Sequence, residues 1–301
     1  MRTIFLLLTL LAGLVASCAA PLSSPLSSPP PTATPLPRTF QGALAYRWVV
    51  SQCGYGPRVT GSEAAQQARA EIIAALEAAG WTVRRQPFTY KGVEAVNILA
   101  WKGDGEAVLI GAHYDSRRAA DQDDPSQAVL GADDGASGVA VLLELARALD
   151  FPPADRRVYL AFFDAEDDGE LDGWDWIVGS TWMAEHWGEA GEPPLQAMIL
   201  VDMVGDEDQT FYYEGNSDPA LQAALWSLAD ELGYGDHFIP QYRWRMLDDH
   251  IPFVRQGIPA VDIIDFDYPY WHTTHDSPDK VSPQSLERVG RLLEVWLEGT
   301  P

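Results

Sequence analysis

Short apolar runs alternate with segments whose apolar residues lie on one helical face. The runs predict buried strands, and the second of them is apolar enough for the centre of a sheet. These strands are at 93–101, 107–112, 158–163, 198–204 and 260–266. The other segments predict a helix that begins at Ser62 and is ended by Gly80, and further helices at 136–149, 220–232 and 283–297. The alternation indicates an α/β sheet with helices on both faces.

The first 38 residues form no part of this pattern. Met1-Arg2, the apolar run 4–15 and the sequence VASC at 15–18 indicate a signal peptide over 1–17 that ends in a bacterial lipobox. Cys18 would then be the lipidated first residue, and the Pro/Ser-rich stretch to residue 38 a tether. An ordinary cleaved secretory signal is the alternative, and both readings imply export. Residues 39–301 have the length of one domain.

Charge and cysteine usage narrow the possible partners. Lys+Arg 20 against Asp+Glu 44 gives a net charge of −24, which disfavours nucleic acid and anionic lipid and favours amine-bearing partners. The protein would then contact a membrane only through the lipid on Cys18.

Cys53 is the other cysteine, so no disulfide framework is expected, and the sequence predicts that Cys53 is a buried, inert thiol. A monomer is expected.

Four segments carry metal-ligand residue types, and each follows an apolar run. They are GAHYDS around His113, GADDGASG around Asp134, FFDAEDDGE around Glu166 and YWHTTHDSPDK around His272. One acidic cluster alone is usually solvated surface. Ligands of open α/β sheets collect at the carboxyl ends of the strands, however, and four such segments in these positions indicate a metal-dependent enzyme.

The ordered set of motifs GAHYDS, GADDGASGVAVLLELARAL, FFDAED, VDMVG, LDDHIPF and YWHT resembles that of the glutaminyl cyclases, which are built on the zinc aminopeptidase fold of metallopeptidase family 28. The resemblance runs from about Gly56 to the C-terminus. It implies a three-layer α/β sandwich with a central twisted, mostly parallel mixed sheet, and one zinc at the edge of that sheet.

The resemblance also implies the metal site. Asp134, Asp167 and His272 would hold the zinc, and Glu166 would be the proton shuttle. Two carboxylates and one imidazole leave the open coordination position that a catalytic zinc needs.

The remaining implied positions concern the substrate. Asp202 and Asp248 resemble a hydrogen-bonded carboxylate pair, and Trp271 and Trp174 resemble the aromatic walls of a glutamine pocket. The implied reaction is zinc-dependent cyclisation of the N-terminal glutamine of peptides or proteins to pyroglutamate, with release of ammonia.

Two alternatives stay open. A two-zinc aminopeptidase would use His113 and Asp202 for a second metal, bridge both ions with Asp134 and activate water with Glu166. Asp248, where aminopeptidases often carry Ser, and Trp271, where they often carry Tyr, favour the cyclase. A noncatalytic binding ectodomain is the other alternative, and the intact ligand set disfavours it. Three further polar residues near these motifs, Asp249, His250 and His275, are expected to stabilise loops beside the metal site.

Overall fold

The computed structural model describes residues 39–149 and 156–299. The predicted signal peptide, lipidated Cys18 and tether lie outside these residues. Among the described residues, no helix is long and apolar enough to cross a membrane.

The nine helices and strands predicted from the sequence are present in the described part of the chain, together with six that the sequence did not predict. The helices are α1 (Gly42–Gly54), α2 (Glu63–Ala78), α3 (Ala136–Ala148), α4 (Val178–Glu185), α5 (Pro219–Glu231), α6 (Ile251–Arg255) and α7 (Pro283–Glu298). The strands are β1 (Thr82–Tyr90), β2 (Val93–Gly103), β3 (Glu106–His113), β4 (Arg156–Phe163), β5 (Leu195–Asp202), β6 (Phe211–Glu214), β7 (Phe238–Trp244) and β8 (Ala260–Ile264).

Six strands form the central sheet in the order β1-β2-β4-β3-β5-β8. β4, β3, β5 and β8 pair in parallel, whereas β1 and β2 are antiparallel additions at one side. β6 and β7 form a separate two-stranded parallel sheet. The predicted mixed, mostly parallel sheet is confirmed. Because the parallel strands share one direction, their carboxyl ends meet at one edge.

Side chains of the central strands alternate between two apolar layers, as the strand period of two requires. In β3, Val108 and Ile110 join the core under α1, α2, α3, α5 and α7, whereas Leu109 joins the core under α4 and α6. The three-layer arrangement is therefore confirmed.

Local chemistry sets the helix ends where the sequence indicated. The Ser62 side chain accepts a hydrogen bond from Ala65 N at 3.1 Å and caps α2, and Gly80 adopts φ +78° just after that helix. Two predicted strands are too long by two residues. β5 ends at Asp202 because Met203 turns out of it at φ +44°, and β8 ends at Ile264.

Candidate active site

The carboxyl edge of the central sheet gathers the predicted metal ligands. His113 and Asp202 are the last residues of β3 and β5. Asp134 lies just before α3, Asp167 follows β4, and His272 lies in the loop after β8. All five are at least nine-tenths buried, so their charges interact away from bulk water.

These side chains form two groups that share Asp134. In the first group, His272 Nε2 lies 3.1 Å from Asp167 Oδ1 and 3.7 Å from Asp134 Oδ2. In the second, His113 Nε2 lies 3.1 Å from Asp134 Oδ1 and 3.2 Å from Asp202 Oδ1. Asp134 thus offers one carboxylate oxygen to each group.

The residues of both groups fit a zinc ion. Ligands about 2.0–2.2 Å from a tetrahedral zinc lie roughly 3.4 Å apart, close to the separations seen here. Among the described residues, Asp134 Oδ2 and Asp167 Oδ2 are buried without a hydrogen-bond partner. Such orphaned buried oxygens are costly unless a cation satisfies them.

The backbone around Glu166 and Asp167 is held by Asp115. Its carboxylate accepts a hydrogen bond from each of their amides, both at 3.2 Å. The turn before them needs a left-handed residue, and Ala165 has φ +61°. His272 also lies in this region at φ +56°. Such conformations cost free energy and cluster at functional sites, where the surrounding structure enforces them.

The backbone of Asp134 is held in place by contacts of the residues just before and just after it. Asp276 accepts hydrogen bonds from Asp133 N at 2.9 Å and from Asp134 N at 3.2 Å. Gly135 follows with φ +92°, and a Cβ there would lie 2.8 Å from Asp115 O. The glycine is therefore required on both counts.

Burial raises the pKa of Glu166, Asp202 and Asp248. Asp134 is buried as well, but hydrogen bonding to His113 and the charge of that imidazole hold its pKa below the ordinary value. The pKa of Glu166 lies well above its ordinary value because of burial, opposed by the positive charge available on His113. Burial and then the charge of Asp202 raise the pKa of Asp248 to about 7. Burial raises the pKa of Asp202 as well, although hydrogen bonding to His113 opposes this shift. Asp248 can therefore hold and release a proton near neutral pH, and the raised pKa of Glu166 and of Asp202 favours their protonated forms. The predicted direct hydrogen bond between Asp202 and Asp248 stays a prediction.

A cavity of about 140 Å³ opens over the first metal group. Its polar side consists of Asp134, Glu166, Asp167, Asp248 and His272, and its apolar side of Trp176, Met246, Leu247, Phe266 and Trp271. Trp271 stacks on His272 with the ring centroids 3.8 Å apart, so the predicted wall residue adjoins a predicted metal ligand.

The expected position of Trp174 in this wall needs correction. Trp174 packs with Phe88 and Ala165 in a separate apolar cluster, and its ring meets Tyr90 edge-on at 5.2 Å. Trp176, two residues later, lines the cavity. The 3-10 turn Leu171–Gly173 and the left-handed residues around it determine which tryptophan ring faces the cavity. The spacing of the tryptophans in the sequence does not predict this.

The other singled-out residues lie beside the site. His250 Nε2 is 3.2 Å from Glu214 Oε2, and its Nδ1 is 3.8 Å from Asp262 Oδ2. Asp249 is fully buried, and its pKa is raised by burial and by the charge of Asp248. His275 is exposed.

Cys53 matches the inert thiol predicted from the sequence. It is buried and free, and burial raises its pKa to about 11. A thiol with so high a pKa is a poor nucleophile and a poor metal ligand at neutral pH.

Carboxylates and imidazoles around an aromatic-walled cavity, at the carboxyl edge of an α/β sheet, define a metalloenzyme site. The chain belongs to peptidase family M28, whose family model matches residues 97–297.

Proteins similar to this chain include glutaminyl cyclases and an aminopeptidase. A solved glutaminyl cyclase from Porphyromonas gingivalis is 33% identical, with a TM-score of 0.80 over 86% of this chain and 98% of that one. A solved leucine aminopeptidase precursor from Bacteroides thetaiotaomicron is 31% identical, with a TM-score of 0.82 over 87% of this chain and 98% of that one. A glutaminyl-peptide cyclotransferase from Boiga irregularis is 28% identical over 80% of this chain and 76% of the relative.

Proposed function

We propose that this protein is a zinc-dependent glutaminyl-peptide cyclotransferase, which converts the N-terminal glutamine of peptides or proteins to pyroglutamate and releases ammonia. The observation that carries the proposal is the small aromatic-walled cavity where Glu166 and Asp248 meet the ligands of one metal. At about 140 Å³ it is below the roughly 300–1,000 Å³ of pockets for drug-sized ligands, and it suits a single side chain. The cyclase relatives support the same assignment.

The cyclisation requires proton transfer and consumes no water. The substrate's α-amine nitrogen attacks the carbonyl carbon of its own side-chain amide, a ring C–N bond forms, and the bond to the amide nitrogen breaks. One proton leaves the amine, and one is needed by the departing ammonia. A single carboxyl that first accepts and then donates can carry out both transfers.

Glu166 is placed for that role. It lines the cavity and neighbours Asp167 in sequence, and burial raises its pKa well above the ordinary value, which strengthens it as a proton acceptor. Asp134, Asp167 and His272 would hold the zinc. When bound there, zinc supplies Lewis-acid polarisation of the side-chain carbonyl.

Asp202 and Asp248 would bind the reacting nitrogen atoms. After burial, the charge of Asp202 raises the pKa of Asp248, and the charges of Asp134 and Asp167 raise that of Asp202. The pair therefore favours one shared proton over two negative charges. A half-protonated pair offers both a donor and an acceptor to an amine and an amide. Trp271 and Trp176 would hold the aliphatic part of glutamine, which keeps the amine near the carbonyl carbon.

An aminopeptidase with two zincs is the second candidate, because His113, Asp134 and Asp202 form a complete second ligand group. The cyclase needs one zinc, and we expect the proton shared with Asp248 to make Asp202 a poor metal ligand. Elemental analysis after dialysis against dilute chelator should find one zinc per chain. Two equivalents, both required for activity, would favour the aminopeptidase.

Two neighbouring variants test the assigned roles. Glu166→Gln should retain zinc and lose on the order of a hundredfold or more in turnover, the usual effect of removing a general base. Asp167→Ala should lose the metal itself. Zinc analysis and ammonia release from a Gln-peptide measure the two effects separately. The opposite pattern, with zinc lost from Glu166→Gln and kept by Asp167→Ala, would contradict the roles.

Location in the cell envelope forms part of the proposal. The lipobox-like sequence before Cys18 supports export and lipid anchoring. Metabolic labelling with a radioactive fatty acid should mark the wild-type protein and not Cys18→Ser. Release of unlabelled wild-type protein into the medium would instead indicate a plain secretory signal.

A further inference from the structure

A pair of side chains outside the predicted ligand set connects two of the three ligands of the proposed zinc. Asp121 Oδ1 lies 3.2 Å from His272 Nδ1, the ring nitrogen opposite the one that faces the metal group. Arg117 Nη2 donates to the other oxygen of this carboxylate at 2.5 Å. Both carboxylate oxygens of Asp121 are therefore engaged, which fixes its orientation.

Arg117 also holds the segment of a second ligand. Its Nη1 donates to the backbone carbonyl of Asp167 at 2.7 Å. The guanidinium lies over the ring of Trp176 at 4.7 Å, and that ring stacks on His272 with centroids 5.9 Å apart. Arg117 is 2% exposed, so its planar fork is locked by these contacts.

We propose that Asp121 and Arg117 are positioning residues for zinc binding, with Asp121 fixing the tautomer and ring angle of His272. An Nδ1–H that donates to Asp121 leaves the lone pair on Nε2, directed at Asp134 and Asp167. Arg117 joins the His272 and Asp167 segments, so the two ligands keep their separation in the metal-free protein. The inference rests on the proposed zinc site and holds for a cyclase or an aminopeptidase.

The loop that carries Asp121 supplies a matched control. Asp123 accepts hydrogen bonds from Thr274 N and Thr274 Oγ1, and so ties the same two segments together without touching His272. It carries the same formal charge and is exposed. Asp123→Ala thus removes one negative charge and the hydrogen bonds from Thr274 that join the loops, and it leaves the His272 partner in place.

The test measures the zinc dissociation constant by competition with a chromophoric chelator, and the melting temperature of the metal-free protein. Asp121→Ala should weaken zinc binding about 10- to 100-fold, the usual effect of losing such a partner. Asp121→Asn keeps an acceptor oxygen and should recover part of this loss. Asp123→Ala should bind zinc as the wild type does, and all metal-free proteins should melt within a few degrees of one another.

Equal zinc binding by Asp121→Ala and wild type, or equal losses in Asp121→Ala and Asp123→Ala, would overturn the inference. Should Asp121→Ala fail to fold, Asp121→Asn against Asp123→Asn decides in the same way, with weaker binding expected only at position 121. A wild-type protein that binds no zinc would instead refute the proposed function, so the two failures are distinguishable.

Discussion

Gly138 allows the segment that carries Asp134 to approach the end of β5. A Cβ built at Gly138 in α3 would lie 2.3 Å from Val201 O and 2.9 Å from the Ala112 Cβ. Ordinary contacts are about 3.5–4.0 Å, so Gly138→Ala has to move the helix by roughly 1 Å or distort the sheet. Because zinc ligands tolerate about ±0.2 Å, such a shift of Asp134 should impair metal binding.

The free-energy change can be worked from the same geometry. Overpacking a tight site costs about 1–3 kcal/mol, and this contact is at the severe end of that range. Alanine recovers about 1 kcal/mol of helix propensity. Gly138→Ala should therefore lose about 2 kcal/mol in the free energy of unfolding of the metal-free protein, measured by urea denaturation.

Gly54 is the matched control, because it also lies in a helix and a Cβ there meets nothing within 4 Å. Gly54→Ala should be neutral or slightly stabilising, with unchanged zinc affinity. Equal unfolding free energies and equal zinc affinities for Gly138→Ala and Gly54→Ala would refute the reasoning from close approach.

Three further predictions concern stability and the substrate wall. Burial raises the pKa of Asp265 to about 7 from an ordinary value of 3.8, so the stability that its proton contributes is present below pH 4 and lost as the pH rises through 7. Asp265→Asn should therefore gain about 3–4 kcal/mol relative to wild type between pH 4 and 8 in urea denaturation, and a pH-independent difference would contradict this. His250→Phe removes a partner of buried Glu214 and should cost about 3 kcal/mol in the same assay, whereas a neutral change would show that His250 only fills space. Trp271→Ala should raise the KM for a Gln-peptide more than it weakens zinc binding, and an unchanged KM would remove Trp271 from the pocket.

The strands and ligands of the parallel part of the sheet could be predicted because their signals are local. The run before His113 is apolar on both faces, which is typical of a strand covered by helices on both sides. β1 was missed for the opposite reason. It is an edge strand whose side chains are exposed or half-buried except for Phe88, and it contains Pro87, so it carries little hydrophobic pattern. α1 was missed as well, and its apolar face becomes evident only through packing on α3 and α7.

The site shows the same division. Asp134, Asp167 and His272 could be predicted because they lie in motifs that occur in a recognisable order, and the structure brings them together. Trp176 faces the cavity because of left-handed backbone conformations in its loop, which no residue pattern predicts. For this reason the sequence prediction placed Trp174 in the wall instead of Trp176. Asp121 is 151 residues from His272 in sequence, and only the tertiary fold shows that they meet.

The most direct test of the central claim compares a Gln-peptide and a Leu-peptide with the purified zinc-loaded protein. The cyclase account predicts that the Gln-peptide loses one molecule of ammonia while its next peptide bond stays intact, as seen by an ammonia assay and mass spectrometry. It also predicts that the Leu-peptide is untouched, and that an Asn-peptide, one methylene shorter, does not react. Free leucine from the Leu-peptide and no ammonia from the Gln-peptide would contradict the cyclase and identify an aminopeptidase at the same metal site.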